Sequence, residues 1–272
     1  MSVLLTSSAI RVSHRAQVAR SNVLGVGISV TNMTDAIRMT DEFLASGQAN
    51  GYVCVTGVHG VMEAQRDPEF QRILNNSVLT TPDGMPLVWI GRLRGFKDMG
   101  RVYGPDYMLE MCRLSVERGY THFFYGGNRG IADALRSALT SRFPGLRVVG
   151  TCTPPFRPLN TEEERDLISQ VKEWRPDVFW VGLSTPKQER FMATYLRKLD
   201  LKLMVGVGAA FDLHTGHMKD APRWMKYSGL QWLYRLAQEP RRLWRRYLVN
   251  NPLFIYRILL QLSGIRRYSL DH

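Results

Sequence analysis

The sequence predicts an α/β protein: an open, mostly parallel (Rossmann-like) sheet with helices on both faces, followed by a C-terminal basic helical appendage. Three observations carry this. Short apolar runs alternate with amphipathic stretches over residues 24–222. Most of those runs are apolar almost throughout, as strands covered on both faces must be. After Pro222 the strand signals stop, and tryptophans and leucines recur at helical spacing among arginines.

In order, the strand-like runs are VLGVGISV near 23–30, YVCVT at 52–56, THFFYGG at 121–127, LRVVGT at 146–151, DVFWVGL at 177–183 and LKLMVGVG at 201–208. Helical patterns separate them, among them Ile131–Phe143 and Glu162–Trp174. The second follows Asn160 and opens on acids, which suit the positive end of a helix. Strands alternating with helices over this length imply parallel pairing through crossovers. In the tail, Pro240 and Pro252 divide the chain into about three short helices. Residues 1–22 read as a flexible leader, because the apolar opening breaks at Thr6–Ser8. Residues 23–222 then form one α/β domain, expected from its strand-end motifs to be the catalytic one. Residues 223–267 form an arginine-rich amphipathic helical appendage, expected to associate with a membrane. No run of 18 apolar residues is present, so no bilayer span is expected.

Composition narrows the class. Hydrophobic residues at 44% and charged residues at 22% exclude a disordered or fibrous chain. Cys54, Cys112 and Cys152 form no CxxC pair, which points to a reduced cytoplasmic compartment. The net charge is +12, and residues 223–267 hold ten basic residues against Glu239. A basic tail implies an anionic partner: phosphate head groups, nucleic acid or a diphosphate substrate.

Four polar clusters sit at strand ends. In the first, Thr81-Pro82-Asp83-Gly84 turns a corner: Pro82 holds Thr81 extended, and Asp83 either caps a helix or faces a crevice. Arg101 follows 18 residues later beside Gly104 and Asp106. The second is GGNRG, whose Gly126 and Gly127 either shape a strand-to-helix turn or cradle a phosphate on backbone N–H groups. It lacks the GxGxxG spacing and a Walker lysine, so neither a dinucleotide nor an ATP cofactor is indicated. The third is Ser184-Thr185-Pro186-Lys187-Gln188, with Thr185 as cap and Pro186 at the first helical position. The fourth runs from Gly206 and Gly208 to Asp212. Asp212, His214 and His217 form a D-x-H-x-x-H pattern without a third His or Cys ligand, and no D-x-D triplet occurs, so no metal is assigned. His59, after YVCVT, is either site-lining or packed.

Together and in this order, TPDGMPLVW, RVYGPDYM, FFYGGNRG, VGLSTPKQERF, VGVGAAFD and WLYRLAQEPRRLWRRYLVNNPLF resemble the WecG/TagA/CpsF family of bacterial glycosyltransferases (glycosyltransferase family 26) over roughly residues 24–262. The resemblance implies an inverting transfer of N-acetylmannosamine, its uronic acid or another sugar. The donor would be a UDP-sugar and the acceptor a polyprenyl-diphosphate-linked glycan, in cell-surface polysaccharide synthesis. It implies Asp83 as base and Thr56 beside it. It also implies Arg101 at the donor diphosphate, Gln188 and Asp212 in the donor pocket, and tail arginines, Arg242 and Arg245 among them, closing over the site. Gly84, Gly104, Asp106, Gly126, Gly127, Lys187 and Gly208 are the further substrate-binding candidates. One departure stands out: the family usually carries Asn two residues after that threonine, where this chain has Val58. The expected location is the cytoplasmic face of the membrane, reached through the tail. A homo-oligomer is compatible with the sequence.

Two rivals are weaker. A nucleic-acid binder would use tail arginines and tryptophans on phosphates and bases. Yet those aromatics keep helical spacing with leucines, as interfacial helices do, so no nucleic-acid partner is assigned. A sugar-nucleotide epimerase or dehydrogenase would need the missing dinucleotide fingerprint.

Overall fold

The computed structural model describes residues 18–48 and 50–270. It opens on a hairpin, β1 (Arg20–Val23) and β2 (Val26–Ser29), which turns at Leu24 and Gly25 with φ of 51° and 81°. Two successive positive-φ residues match the right-handed strand twist, and glycine takes the second position without strain. The stretch 23–30 is therefore a turn and one strand, not a strand of the main sheet. Residues 20–22, expected in the leader, belong to β1. Residues 1–17 of that leader lie outside the described residues.

The main sheet has six strands: β3 (Gly51–Thr56), β4 (Leu79–Pro82), β5 (Thr121–Gly126), β6 (Arg147–Cys152), β7 (Val178–Gly182) and β8 (Leu203–Gly206). Their order is β4-β3-β8-β7-β5-β6, and every pairing is parallel. No apolar run announces β4, because Thr80 and Thr81 occupy half of it. Its pairing with Val53–Thr56 of β3 defines it. Before β5 come α1 (Met33–Ala45), α2 (Val58–Ala64), α3 (Pro68–Asn75), α4 (Met85–Leu93) and α5 (Gly104–Arg118). After it come α6 (Ile131–Arg142), α7 (Thr161–Trp174), α8 (Lys187–Tyr195) and α9 (Ala210–His214).

Successive strand residues divide between two cores. Tyr52, Cys54, Phe123, Tyr125 and Phe179 pack with Val61, Leu74, Val171 and Met192 of α2, α3, α7 and α8. Val53, Val55, Phe124, Trp180 and Val205 pack with Phe43, Met111 and Leu135 of α1, α5 and α6. The period is two, yet both faces are apolar, which is why the runs look continuous. Burying each such side chain contributes about 1.5–3 kcal/mol. Trp180, fully buried, donates its indole N–H to Nδ1 of His122 at 2.8 Å. Burial pulls the pKa of His122 down to about 4, so the acceptor stays neutral.

The tail contains α10 (Arg223–Tyr227), α11 (Gln231–Gln238), α12 (Pro240–Trp244), a π-helical turn (Arg245–Val249) and α13 (Asn250–Leu262). Pro240 starts α12 as expected. Pro252 does not divide helices. It lies inside one unbroken helical run from Pro240 to Leu262, just after the π turn, whose altered hydrogen-bond ladder accommodates a residue without an N–H. The tail is pinned to the domain through Leu243, Phe254 and Ile258, all buried. Gln261 of α13 also accepts from Leu24 N–H at 3.0 Å.

Gly126 ends β5 with φ of 129°, and a Cβ there would stand 2.6 Å from the Gly182 carbonyl oxygen. Gly126→Ala is expected to destabilise the fold by more than about 1 kcal/mol, read from the denaturant midpoint.

Candidate active site

A parallel sheet puts all its C-terminal strand ends on one edge. After β3 the chain steps outward to β4, whereas β5 and β6 lie beyond β8 and β7 on the other side. Such a change of direction opens a crevice at the strand ends. Thr56 closes β3 and is buried. Pro82 closes β4, and the next residue, Asp83, donates its N–H to the Thr56 carbonyl at 2.9 Å. Gly84 is the N-cap of α4 and makes no side-chain cap bond. The Asp83 carboxylate is therefore not the cap of α4.

Arg101 fixes that corner. Its Nε donates to the Asp83 carbonyl, and one terminal nitrogen stands 3.6 Å from Asp83 Oδ1. Its other contacts are tail groups: the Lys226 carbonyl at 3.0 Å and the Gln231 side chain. The guanidinium is 7% exposed and lies 4.4 Å over the Tyr103 ring. Asp83 keeps 34% of its side chain open, while its Oδ1 is buried without a hydrogen-bond partner. Burial raises the Asp83 pKa above the usual carboxylate range; Arg101, the Gly104 N–H and Arg235 work against that rise. Gly104 and Asp106 open α5. Asp106 lines a cavity of about 460 Å³ with Arg101, Tyr103, Lys226 and Tyr227.

The β7 and β8 ends complete the edge. Buried Gln188 accepts from the Gly208 N–H at 3.0 Å, tying α8 to the loop after β8. Gln188 also donates to Glu189 Oε1, which takes a second bond from Thr185 Oγ1. Thr185 is thus no cap, and Pro186 stands at the N-cap itself, before the first helical residue. Lys187 is exposed. Asp212 is half-buried on α9, and burial raises its pKa against the pull of His217 and Arg242. In the 126–130 loop the Gly127 N–H donates to the Gly182 carbonyl at 3.1 Å, and Ile131 N–H to Asn128. Those two donors are taken by the protein itself, so the phosphate cradle expected there loses them.

The tail supplies cations that sequence spacing alone could not rank. Arg242 and Arg245 are exposed, and both line a second cavity of about 590 Å³ with Arg246 and His59. Arg235 and Arg246 were not singled out by pattern, yet each has a buried Nε without a hydrogen-bond partner. Both sit close enough to Asp83 for their charges to bear on its protonation. Nothing in the spacing separates them from the other tail arginines; only packing does. His214 contacts the Pro105 carbonyl and His217 the Thr215 hydroxyl. Among the described residues, no three His, Cys, Asp or Glu side chains cluster to hold a metal ion.

The profile of the WecG/TagA/CpsF family of glycosyl transferases matches residues 21–268. This chain belongs to that family. It is a glycosyltransferase, and the corner of Asp83, Arg101 and Thr56 lies within the matched region. Among similar proteins is one of Bacillus subtilis (strain 168), 26% identical over 219 residues, covering 80% of this chain and 83% of its own. Another, from Staphylococcus aureus (strain MW2), is 24% identical over 248 residues, covering 91% and 95%. Both are named N-acetylglucosaminyldiphosphoundecaprenol N-acetyl-beta-D-mannosaminyltransferase.

Arg101 joins the Asp83 corner to the tail, and this predicts an outcome. Arg101→Ala should cost about 1.5–3 kcal/mol of stability through lost charge-assisted hydrogen bonds. It should also raise amide exchange in α10 and α11 above that in the sheet, measured by hydrogen exchange with mass spectrometry.

Proposed function

We propose that this glycosyltransferase moves an N-acetylmannosamine-type sugar from a UDP-sugar to a sugar carried on a polyprenyl diphosphate, with inversion. The carrying observation is Asp83: a half-open carboxylate with one oxygen unpartnered and a raised pKa, set among Arg101, Arg235 and Arg246. The names of the similar proteins support the choice of sugar and acceptor. A glucose or uronic acid donor is the alternative reading, because Val58 stands where the family usually carries Asn.

The chemistry follows from the charges. Asp83 accepts the proton of the acceptor hydroxyl as its oxygen attacks the anomeric carbon from the face opposite the nucleotide. The bond from that carbon to the diphosphate oxygen breaks, and negative charge grows on the leaving group. The guanidinium groups of Arg101 and Arg235, already fixed by packing, stabilise it without reorganising.

The tail supports work at a membrane surface. Residues 223–267 carry most of the positive charge, and Trp224, Tyr227, Trp244, Leu248, Ile255 and Leu259 remain exposed on it. No helix among the described residues is long and apolar enough to cross a bilayer. Such a face suits shallow insertion, with arginines at anionic head groups.

Two predictions follow from this reading. Asp83→Asn should keep the fold and lower turnover about 10²–10⁴-fold; turnover within a few-fold of the parent would reject Asp83 as base. The base must be ionised, so kcat/KM should fall as pH drops through its raised pKa. Arg101 holds that pKa down, so Arg101→Gln should move the acid limb to higher pH, read from the pH–rate profile.

The second concerns the membrane. Removing the tail would strip Phe254 and Ile258 from the core, so surface substitutions are the better test. Each arginine near an anionic surface contributes about 1 kcal/mol, lost within a Debye length as salt rises. The protein should therefore sediment with anionic vesicles at low salt and release at high salt. Changing Trp224, Ile255 and Leu259 together to Gln should weaken sedimentation while leaving the melting temperature unchanged.

A further inference from the structure

The second cavity lies between α2, the turn from β7 to α8 and the π turn of the tail. Four of its lining residues are arginines, Arg66, Arg242, Arg245 and Arg246, against one carboxylate, Glu63. Glu63 is engaged by Arg66 at 3.1 Å and stands 3.7 Å from His59 Nδ1. A second nitrogen of Arg66 donates to Asn250 Oδ1 at 2.7 Å, which fixes that guanidinium at the wall. Arg245 and Arg246 have no ion-pair partner among the described residues, and Arg246 Nε is buried without any hydrogen-bond partner. Burial lowers the pKa of Arg246, and Arg235 and Arg242 lower it further. Burial, Arg246 and Arg66 likewise hold His59 at about 3, so it is neutral.

Like charges held together in partial burial are costly unless an anion joins them. Arg242 is paired with Glu239 at 2.6 Å and Arg66 with Glu63, which leaves Arg245 and Arg246 at the cavity without a carboxylate among the described residues. Guanidinium groups fit phosphate oxygens in a bidentate manner. The rim says more about the molecule. Val249 lines the cavity and is half-exposed, with exposed Trp244 and Leu248 beside it on the same helical turns. No Phe, Tyr or Trp lines the cavity to stack a base. An anion on an apolar chain fits this surface better than a nucleotide.

We propose that this cavity is a subsite for the diphosphate of a prenyl-linked acceptor, held by Arg66 and Arg246, with the prenyl chain leaving over Val249 and Leu248. The proposal rests on the reading of the acceptor as a lipid diphosphate. It puts acceptor and donor diphosphates on separate cations beside Asp83.

The test is calorimetry on the full chain with three probes: farnesyl diphosphate, inorganic pyrophosphate and UDP. Arg246→Gln and Arg66→Gln should each weaken farnesyl diphosphate about tenfold to a hundredfold, while UDP affinity stays within about twofold. Unchanged farnesyl diphosphate binding in folded variants overturns the subsite. Loss of UDP with farnesyl diphosphate unaffected also overturns it, and assigns the cavity to the donor. Pyrophosphate binding as tightly as farnesyl diphosphate overturns the role of the apolar rim. Should a variant fail to fold, the His59 ring resonances of the parent protein decide. They should move with farnesyl diphosphate and not with UDP, and no movement rejects the proposal. The reading beneath it fails separately, if farnesyl diphosphate binds but no sugar passes from any UDP-sugar to a prenyl-diphosphate acceptor.

Discussion

A buried guanidinium must find partners or lose more in desolvation than it gains. Arg101 finds them in two distant parts of the chain. Toward the sheet it meets the carbonyl and carboxylate of Asp83; toward the tail it meets the Lys226 carbonyl and the Gln231 side chain. The Asp83 corner and the start of the appendage are therefore tied to each other. The β4 end is held from its other side by hydrogen bonds from Asp83 N–H to Thr56 and from Val102 N–H to Pro82. The Asp83 corner, the strand ends and the start of the tail are joined through a single cation.

Around that assembly, charges of both signs are kept partly apart rather than fully paired. Asp83, Glu189 and Asp212 all have pKa values raised by burial, and Arg235 and Arg246 each bury an unpartnered nitrogen. Arg101 stands 3.6 Å from Asp83 Oδ1, yet that oxygen has no hydrogen-bond partner. Here the carboxylate keeps some affinity for a proton and the cations keep capacity for an anion, a pattern that marks functional sites.

The tail is amphipathic in an unusual order. One apolar stripe, through Leu243, Phe254 and Ile258, docks on the domain, and a second, through Trp244, Leu248 and Ile255, faces outward. Arg246 lies between them on the cavity wall. The π turn makes this possible. It inserts one residue into the helical repeat just before α13, so the side chains on either side of it fall out of phase. The same turn lets Pro252 enter α13 without a broken bond.

The sequence by itself determined the fold class, because burial on both sheet faces forces continuous apolar runs that local reading can detect. It also determined the family, and it placed a turn at Asp83, since Pro82 and Gly84 dictate one whatever lies around it. Local reading failed where long-range pairing decides. β4 has too few apolar residues to declare itself, and VLGVGISV looked like one strand because its turn residues, Leu24 and Gly25, carry no polar signal. The sequence left the 126–130 loop as either a structural turn or a phosphate cradle, and only the tertiary structure shows that the Gly182 carbonyl takes the Gly127 donor. The choice among ten basic tail residues was likewise invisible in the chain. Helical spacing places arginines on a face, but only the packing of the tail against α2 and β7 settles which guanidinium is buried, and therefore which one needs an anion.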